Sequence, residues 1–345
     1  MTSLLALLLW GCSNDVAHPS AEGSPSPSSE RADAFEGNRR LGRGVNLGNA
    51  LEAPQEGAWG VTLEEQYFDL IKEAGFDAVR IPVRWSAHAA VQEPYTIDAA
   101  FFARVDWFVE QALSRGLLAV INVHHYEEIM QEPAQHTERF LALWEQIADH
   151  YKAYPGDLLF EILNEPNSKL DPGLWNRLLA QALSTVRKTN PEREIVIGPG
   201  YWNNIAYLNL LELPAEDEHL IVTVHYYLPF QFTHQGAEWV AGSSAWLGTT
   251  WQGTSAEEQA IIRDLDMAAA WAQRNKRPIY LGEFGAYGKA DMDSRALWTA
   301  FVARQAEERD ISWAYWEFCA GFGVYDQAKR EWNEPILAAL IPRER

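Results

Sequence analysis

Eight short apolar runs, each followed by an amphipathic stretch, constrain this chain more than any other feature of its sequence. The runs lie at 44–49, 78–83, 117–124, 158–164, 194–198, 220–226, 278–283 and 312–318. Helical periodicity is expected over 64–74, 99–115, 137–154, 174–189, a short stretch near 204–211, 256–274, 294–309 and 334–340, with Thr62-x-x-Glu65 as a capping box for the first. Strands buried on both faces read as continuous apolar runs, and eight strand-then-helix units fit an α/β fold of the (β/α)8 TIM-barrel type. A doubly wound open sheet would need a phosphate-type glycine loop or an obvious edge, and neither is present. No internal repeat is visible. One barrel over 35–345 accounts for most of the chain.

What precedes the barrel is of another kind. Residues 4–10 form an apolar run far shorter than the ~20 residues needed to span a bilayer. The run ends Leu9-Trp10-Gly11-Cys12, which resembles a bacterial lipobox with Cys12 as the lipid acceptor. An ordinary signal peptide with an incidental cysteine is the alternative, since Trp10 is bulky and Met1-Thr2-Ser3 carries no positive side chain. Residues 13–34, rich in Ser, Pro, Ala and Glu, read as a disordered tether. The expected organisation is therefore a leader over 1–12, a tether over 13–34 and one exported domain, secreted or lipid-anchored at the cell surface. With Cys12 lipidated or removed, Cys319 is the remaining cysteine and no intramolecular disulfide can form.

Charge and aromatic content narrow the partners. With 28 Lys and Arg against 48 Asp and Glu, the net charge is −20, which repels phosphate backbones and anionic lipid headgroups. Nucleic acid is excluded as a partner, and membrane contact is expected through the lipid alone. Fifteen Trp, thirteen Tyr and fourteen Phe suit a neutral, flat-faced ligand, and sugars are such ligands. The barrel is expected to be a monomer that uses no cofactor.

Barrel chemistry sits at the C-terminal ends of the strands, so the polar residues that close each run are informative. The first run leads to Asn46, Asn49 and Glu52; the second contains Arg80; the third closes on His124-His125; the fourth on Asn164-Glu165-Pro166. The sixth closes on His225-Tyr226-Tyr227, the seventh on Glu283-Phe284-Gly285 and the eighth on Trp316-Glu317. Glu165 and Glu283 stand out, because a carboxylate at a strand mouth needs compensating donors. Arg80, His124, Asn164, His225 and Tyr227 are expected to supply them.

These motifs carry a resemblance. Gly44-Val45-Asn46-Leu47-Gly48-Asn49-Ala50-Leu51-Glu52, Val79-Arg80-Ile81-Pro82, Leu163-Asn164-Glu165-Pro166 and Gly282-Glu283-Phe284-Gly285, with His124-His125, His225-Tyr226-Tyr227 and Trp316-Glu317-Phe318, are similar to glycoside hydrolase family 5, the cellulase family. The similarity spans about residues 36–341 and is nearest to thermophile-type endoglucanases with mannan side activity. It implies a retaining endo-β-1,4-glycanase in which Glu165 is the acid/base and Glu283 the nucleophile. Arg80, His124, Asn164, His225, Tyr227 and Trp316 would be their usual companions. Asn49, Glu52 and His125 would contribute to the minus-side sugar subsites, and Trp239 would line the cleft.

Elementary chemistry supports the same division of labour. Arg80 and Tyr227 beside Glu283 would favour its ionised form, while an ionised Glu283 and partial desolvation would raise the pKa of Glu165. Asn164 is suited to bond the sugar 2-hydroxyl. A metal reading of His124, His125 and His225 is disfavoured, since adjacent side chains on a strand diverge and H-E-x-x-H spacing is absent. A noncatalytic sugar-binding barrel would be expected to have lost one of the two glutamates. The 229–253 loop, with Phe230, Phe232, His234, Trp239, Trp246 and Trp251, is expected to form an aromatic platform, with about half of these rings serving loop packing instead. Substrate preference among β-1,4-glucan, mixed-linkage glucan, glucomannan and mannan stays open, with a mainly mannan-cleaving enzyme as the second reading.

Overall fold

The computed structural model describes residues 33–342. Eight parallel strands close into a barrel in sequence order: β1 (Arg43–Asn46), β2 (Ala78–Ile81), β3 (Leu118–Asn122), β4 (Leu158–Glu161), β5 (Ile195–Ile197), β6 (Leu220–Tyr226), β7 (Ile279–Phe284) and β8 (Ser312–Tyr315), with β8 paired back onto β1. All eight expected runs are strands. Several end earlier than their apolar run, because the polar residues that close the run have already turned out of the ladder into the mouth. An antiparallel ribbon, β9 (Tyr325–Asp326) with β10 (Glu331–Trp332), lies in the connection after β8 and was not expected.

The apolar residues divide between two layers. Helices Glu65–Ala74, Ala99–Ser114, Pro133–His150, Pro172–Arg187, Ser255–Asn275 and Met292–Glu307 surround the strands and bury their inner stripes against them. Inside the barrel, Ala78, Leu118, Val120, Leu159, Val196, Ile221, Tyr280 and Ala314 form a separate plug with Ala34 and Leu41. Those last two residues belong to a helix, Ala34–Leu41, that closes the N-terminal end of the barrel. Asp33 caps it by accepting from Glu36 N at 3.0 Å, so the final residues assigned to the tether belong to the folded domain. Asn38 fastens the helix underneath, donating to Ile279 O at 3.0 Å and accepting from Ser312 Oγ at 2.7 Å.

Two local expectations are corrected. Thr62 and Glu65 form no capping box: the helix is entered from Glu64, without a side-chain cap. The backbone of Leu63 is committed elsewhere, its N–H to Glu56 and its carbonyl to Arg104, which is itself paired with Glu56 at 2.8 Å, and this holds the chain extended until Glu64. A true capping box occurs at Thr254 and Glu257, at the start of Ser255–Asn275. The stretch near 204–211 is a 3-10 helix, Ile205–Leu210. The expected leader, with Cys12, and all of the tether up to residue 32 lie outside the described residues. Among the described residues no helix is long and apolar enough to cross a membrane.

Candidate active site

Side chains alternate along a strand, so Arg80 points into the barrel two residues above the plug residue Ala78, and Glu161 two above Leu159. A polar layer therefore rests directly on the apolar one. Arg80 is wholly buried and all five of its N–H donors are used. Nε and Nη2 clamp Glu161 at 2.6 and 2.7 Å, Nη1 reaches Glu283 Oε1 at 2.6 Å and Asn46 Oδ1 at 2.8 Å, and Nη2 also reaches Asn164 Oδ1 at 2.8 Å. Asn46 passes the restraint on, donating to Gly282 O at 2.9 Å beside Glu283. With its oxygen turned to Arg80, Asn164 presents its amide nitrogen as a donor.

Glu283 Oε2 accepts from the Tyr227 hydroxyl at 2.9 Å. Irregularities in the β6–β7 ladder bring His225 and Glu283 side by side in register, and His225 Nδ1 lies 3.5 Å from Glu283 and 2.7 Å from Glu165 Oε1. Glu165 itself has a left-handed backbone, φ 47°, a conformation that costs a non-glycine residue on the order of 1–2 kcal/mol and turns the side chain across the mouth toward Glu283. One oxygen of each glutamate and one nitrogen of His225 lie within 4.8 Å of one another. Such a set could hold a cation; here both oxygens of Glu283 are engaged, by Arg80 and Tyr227, and one oxygen of Glu165 is engaged by His225.

Electrostatics separates the two carboxyls. Burial pushes Glu165 up to about 7, opposed by Arg80 and His125 and reinforced by the charges of Glu161 and Glu127. Burial is thus the main cause, and Glu165 and Glu283 also oppose each other's ionisation, the repulsion expected from sequence. Burial also raises Glu283, against the pull of His225 and Arg80. The same burial lowers His225 to about 4 and holds His124 well below its usual range, so both imidazoles are neutral at pH 7.

The tautomer of His124 follows from its neighbours. Asn122 Oδ1 accepts from Val83 N at 3.2 Å, so its amide nitrogen faces His124 Nδ1 at 3.1 Å, and the ring proton sits on Nε2. His124 lies parallel to Trp316 at 5.9 Å between centroids. Gly48 permits this packing, since a Cβ there would come within 3.1 Å of the Trp316 ring. His125, with φ 48°, meets the exposed Trp59 edge-on at 5.6 Å. Asn49, φ 63°, is half-buried on the loop after β1.

Glu52 departs from expectation. It is fully buried, its carboxylate accepting from the backbone amides of Asn49 and Ala50, so it shapes the loop that carries Asn49 and does not line the cleft. Trp239 is 61% exposed and packs against Tyr287 and Phe322; Phe322 also touches Tyr227, so one aromatic wall runs from Trp239 to the ring that bonds Glu283. Of the other rings in the 229–253 loop, Phe232 and Trp251 are buried packing residues, whereas Phe230 is partly exposed, stacked on His234 and edge-on to Trp246. Sequence reasoning missed Glu161, Asn122, Asn203 and Trp59. Glu161 had a signal, a charge inside the run Leu158-Leu159-Phe160.

The chain matches the family described as Cellulase (glycosyl hydrolase family 5) over residues 42–321. It is 40% identical over 323 residues to Endoglucanase H of Acetivibrio thermocellus, covering 92% of this chain and 34% of that protein. It is 30% identical over 338 residues to Endoglucanase B of Ruminococcus albus, covering 88% and 79%. The chain spans about a third of the length of Endoglucanase H and of the Cellulase/esterase CelE from the same bacterium. Among solved structures, Thermotoga maritima Cel5A in complex with mannotriose superposes with a TM-score of 0.88 at 55% identity, over 90% of this chain and all of that one. With a matched region that holds the whole barrel and both glutamates, this chain belongs to glycosyl hydrolase family 5, the cellulases.

Proposed function

We propose that the protein is a retaining endo-β-1,4-glucanase that also accepts glucomannan and mannan, with Glu283 as nucleophile and Glu165 as acid/base. The observation that carries this reading is the pairing of two carboxyls within 4.8 Å, one clamped by a cation and the other held by a neutral imidazole. Retaining glycosidases hold their carboxyls about 5–5.5 Å apart, whereas inverting ones leave about 6.5–9.5 Å for a water. In the first step Glu283 bonds to the anomeric carbon while the glycosidic C–O bond breaks and the Glu165 proton passes to the leaving oxygen. In the second, Glu165, now a carboxylate, takes a proton from water, the water oxygen bonds to the anomeric carbon, and Glu283 leaves. Esterified Glu283 no longer carries charge, which lowers the pKa of Glu165 at the moment it must act as a base.

The remaining groups serve the sugar. The Asn164 amide nitrogen suits the 2-hydroxyl, a contact that strengthens as oxocarbenium character develops. His124 Nε2–H and the Trp316 face suit the ring held over Glu283, with Asn49 and His125 on the minus side and Trp239 at the rim. Glucose and mannose differ at the 2-hydroxyl, and a cleft built on stacking and few polar contacts separates them weakly. The 55%-identical Thermotoga maritima Cel5A forms complexes with both mannotriose and cellobiose, which supports breadth; a mainly mannan-cleaving enzyme is the second reading.

Reducing-sugar release from carboxymethylcellulose, mixed-linkage glucan, glucomannan and mannan tests the assignment, with all four cut and the glucans fastest. No release from any polymer would overturn it. We place the enzyme outside the cytoplasm, since polymers do not cross membranes, and anchored through Cys12. Cell fractionation of wild type against Cys12→Ala tests that anchor: equal release of both into the medium would mean simple secretion.

A further inference from the structure

Three consecutive residues after β5, Tyr201, Trp202 and Asn203, have left-handed backbones with φ of 55°, 61° and 53°. Trp202 N donates to Pro166 O at 3.2 Å, which ties this turn to the residue following Glu165. One consequence is that Trp202 stands out into solvent while Asn203 is driven fully inward. There its amide nitrogen meets His225 Nε2 at 3.2 Å, and the other nitrogen of that ring holds Glu165. Gly198 leaves the space that the Asn203 oxygen occupies, since a Cβ on Gly198 would collide with it.

We propose that Asn203 is a positioning residue that keeps His225 neutral with its proton on Nδ1, and so reserves the acid proton of Glu165 for the leaving group. The inference rests on the reading of Glu165 as acid/base. An amide NH2 facing Nε2 requires that nitrogen to be a bare acceptor. The ring proton is then on Nδ1 and is donated to Glu165 Oε1, so the acid proton sits on the free oxygen, the one open to the cleft. Turning the amide around would bury an NH2 where the Asn203 oxygen, which has no hydrogen-bond partner among the described residues, now lies, and would place an acceptor against Nε2. That arrangement favours an imidazolium or an Nε2–H tautomer, and either one draws the Glu165 proton toward His225. Asn122 imposes the same kind of restraint on His124, from the opposite nitrogen.

The charged and titratable groups around the pair are Glu283 on β7, Arg80 on β2, Glu161 on β4, and His125 and Glu127 after β3, with Tyr227 beside Glu283. Their carboxylates would favour an imidazolium if Nε2 were free to take a proton, which is the reason a donor aimed at that nitrogen has an effect.

Asn203→Asp keeps the shape and tolerates the left-handed backbone but replaces the donor with an acceptor; Asn203→Gly suits the same backbone and removes the amide. In wild-type protein with 15N-labelled histidine, the His225 resonances should show Nδ1 protonated and Nε2 bare at pH 6. In Asn203→Asp both nitrogens should be protonated. Cleavage of a phenyl β-cellobioside should then fall on the order of 100-fold, while a 2,4-dinitrophenyl β-cellobioside, which needs no acid, stays within about threefold. Asn203→Gly should show the same asymmetry, smaller in size. A protonated Nε2 in wild type, or equal losses on both substrates, would overturn the proposal. If Glu165→Ala in the same assay loses both glycosides equally, the reading of Glu165 as acid/base fails instead.

Discussion

Arg80 and Glu283 face each other at 2.6 Å in the barrel mouth, yet the guanidinium shares itself with a second carboxylate, Glu161, through two further bonds. One cation thus serves two buried anions, so its charge only partly offsets what burial does to Glu283. Replacing Arg80 with Gln leaves both carboxylates buried without their ion partner, and breaking such a pair costs about 3–5 kcal/mol. Urea denaturation at pH 7 should register a loss of that size, with a smaller one at pH 5, where Glu283, whose carboxyl burial already raises, accepts a proton more readily.

Truncating the two glutamates should have different consequences. Glu283→Gln should lose essentially all turnover, on the order of 10⁴-fold or more, while tritrating cello-oligosaccharide by calorimetry should give near wild-type affinity. Glu165→Ala should lose about 10²–10⁴-fold on polymer but retain formation of the glycosyl-enzyme from dinitrophenyl glycosides, seen as a burst of phenolate. Equal losses on polymer and activated glycoside would contradict the division of roles.

Glu165 pushed up to about 7 sets the alkaline side of the pH profile. The acid form is present below that value and is lost above it, so kcat/KM on polymer should fall tenfold for each pH increment of one beyond about 7. A flat profile from pH 6 to 9 would exclude Glu165 as the acid.

Stability should depend on pH through Glu194, at the foot of the barrel. Its Oε2 has no partner among the described residues, and burial holds its carboxyl at about 7 against an ordinary value of 4.5. A folded-state pKa raised above the unfolded one contributes stability that is complete below pH 4.5 and lost as pH rises through 7. Glu194→Gln should therefore raise the melting temperature at pH 8 relative to wild type and leave it little changed at pH 4.5. An unchanged difference across that range would mean the carboxyl does not titrate in the fold.

The barrel was legible because strands buried on both faces leave continuous apolar runs, and the mouth was legible because polar residues close those runs. Helix Ala34–Leu41 was not legible: Glu36, Arg39 and Arg40 disguise it, and its purpose as a plug depends on Asn38 and Leu41 meeting strands far away in sequence. Asn203 gave no signal because its role depends on two aromatic residues before it, Tyr201 and Trp202, taking left-handed backbones that no propensity favours. For Glu52 the motif placed the residue in the right loop, but the direction of its carboxylate is decided by two backbone amides.

The stereochemistry of cleavage tests the double displacement most directly. Proton NMR of the first minutes of cellotetraose or cellopentaose hydrolysis, before mutarotation, reports the anomer formed at the new reducing end. Two successive displacements by Glu283 and then water predict the β-anomer, with α-anomer appearing only as the sugars equilibrate; initial release of the α-anomer would mean a single displacement and would contradict the roles given to Glu283 and Glu165.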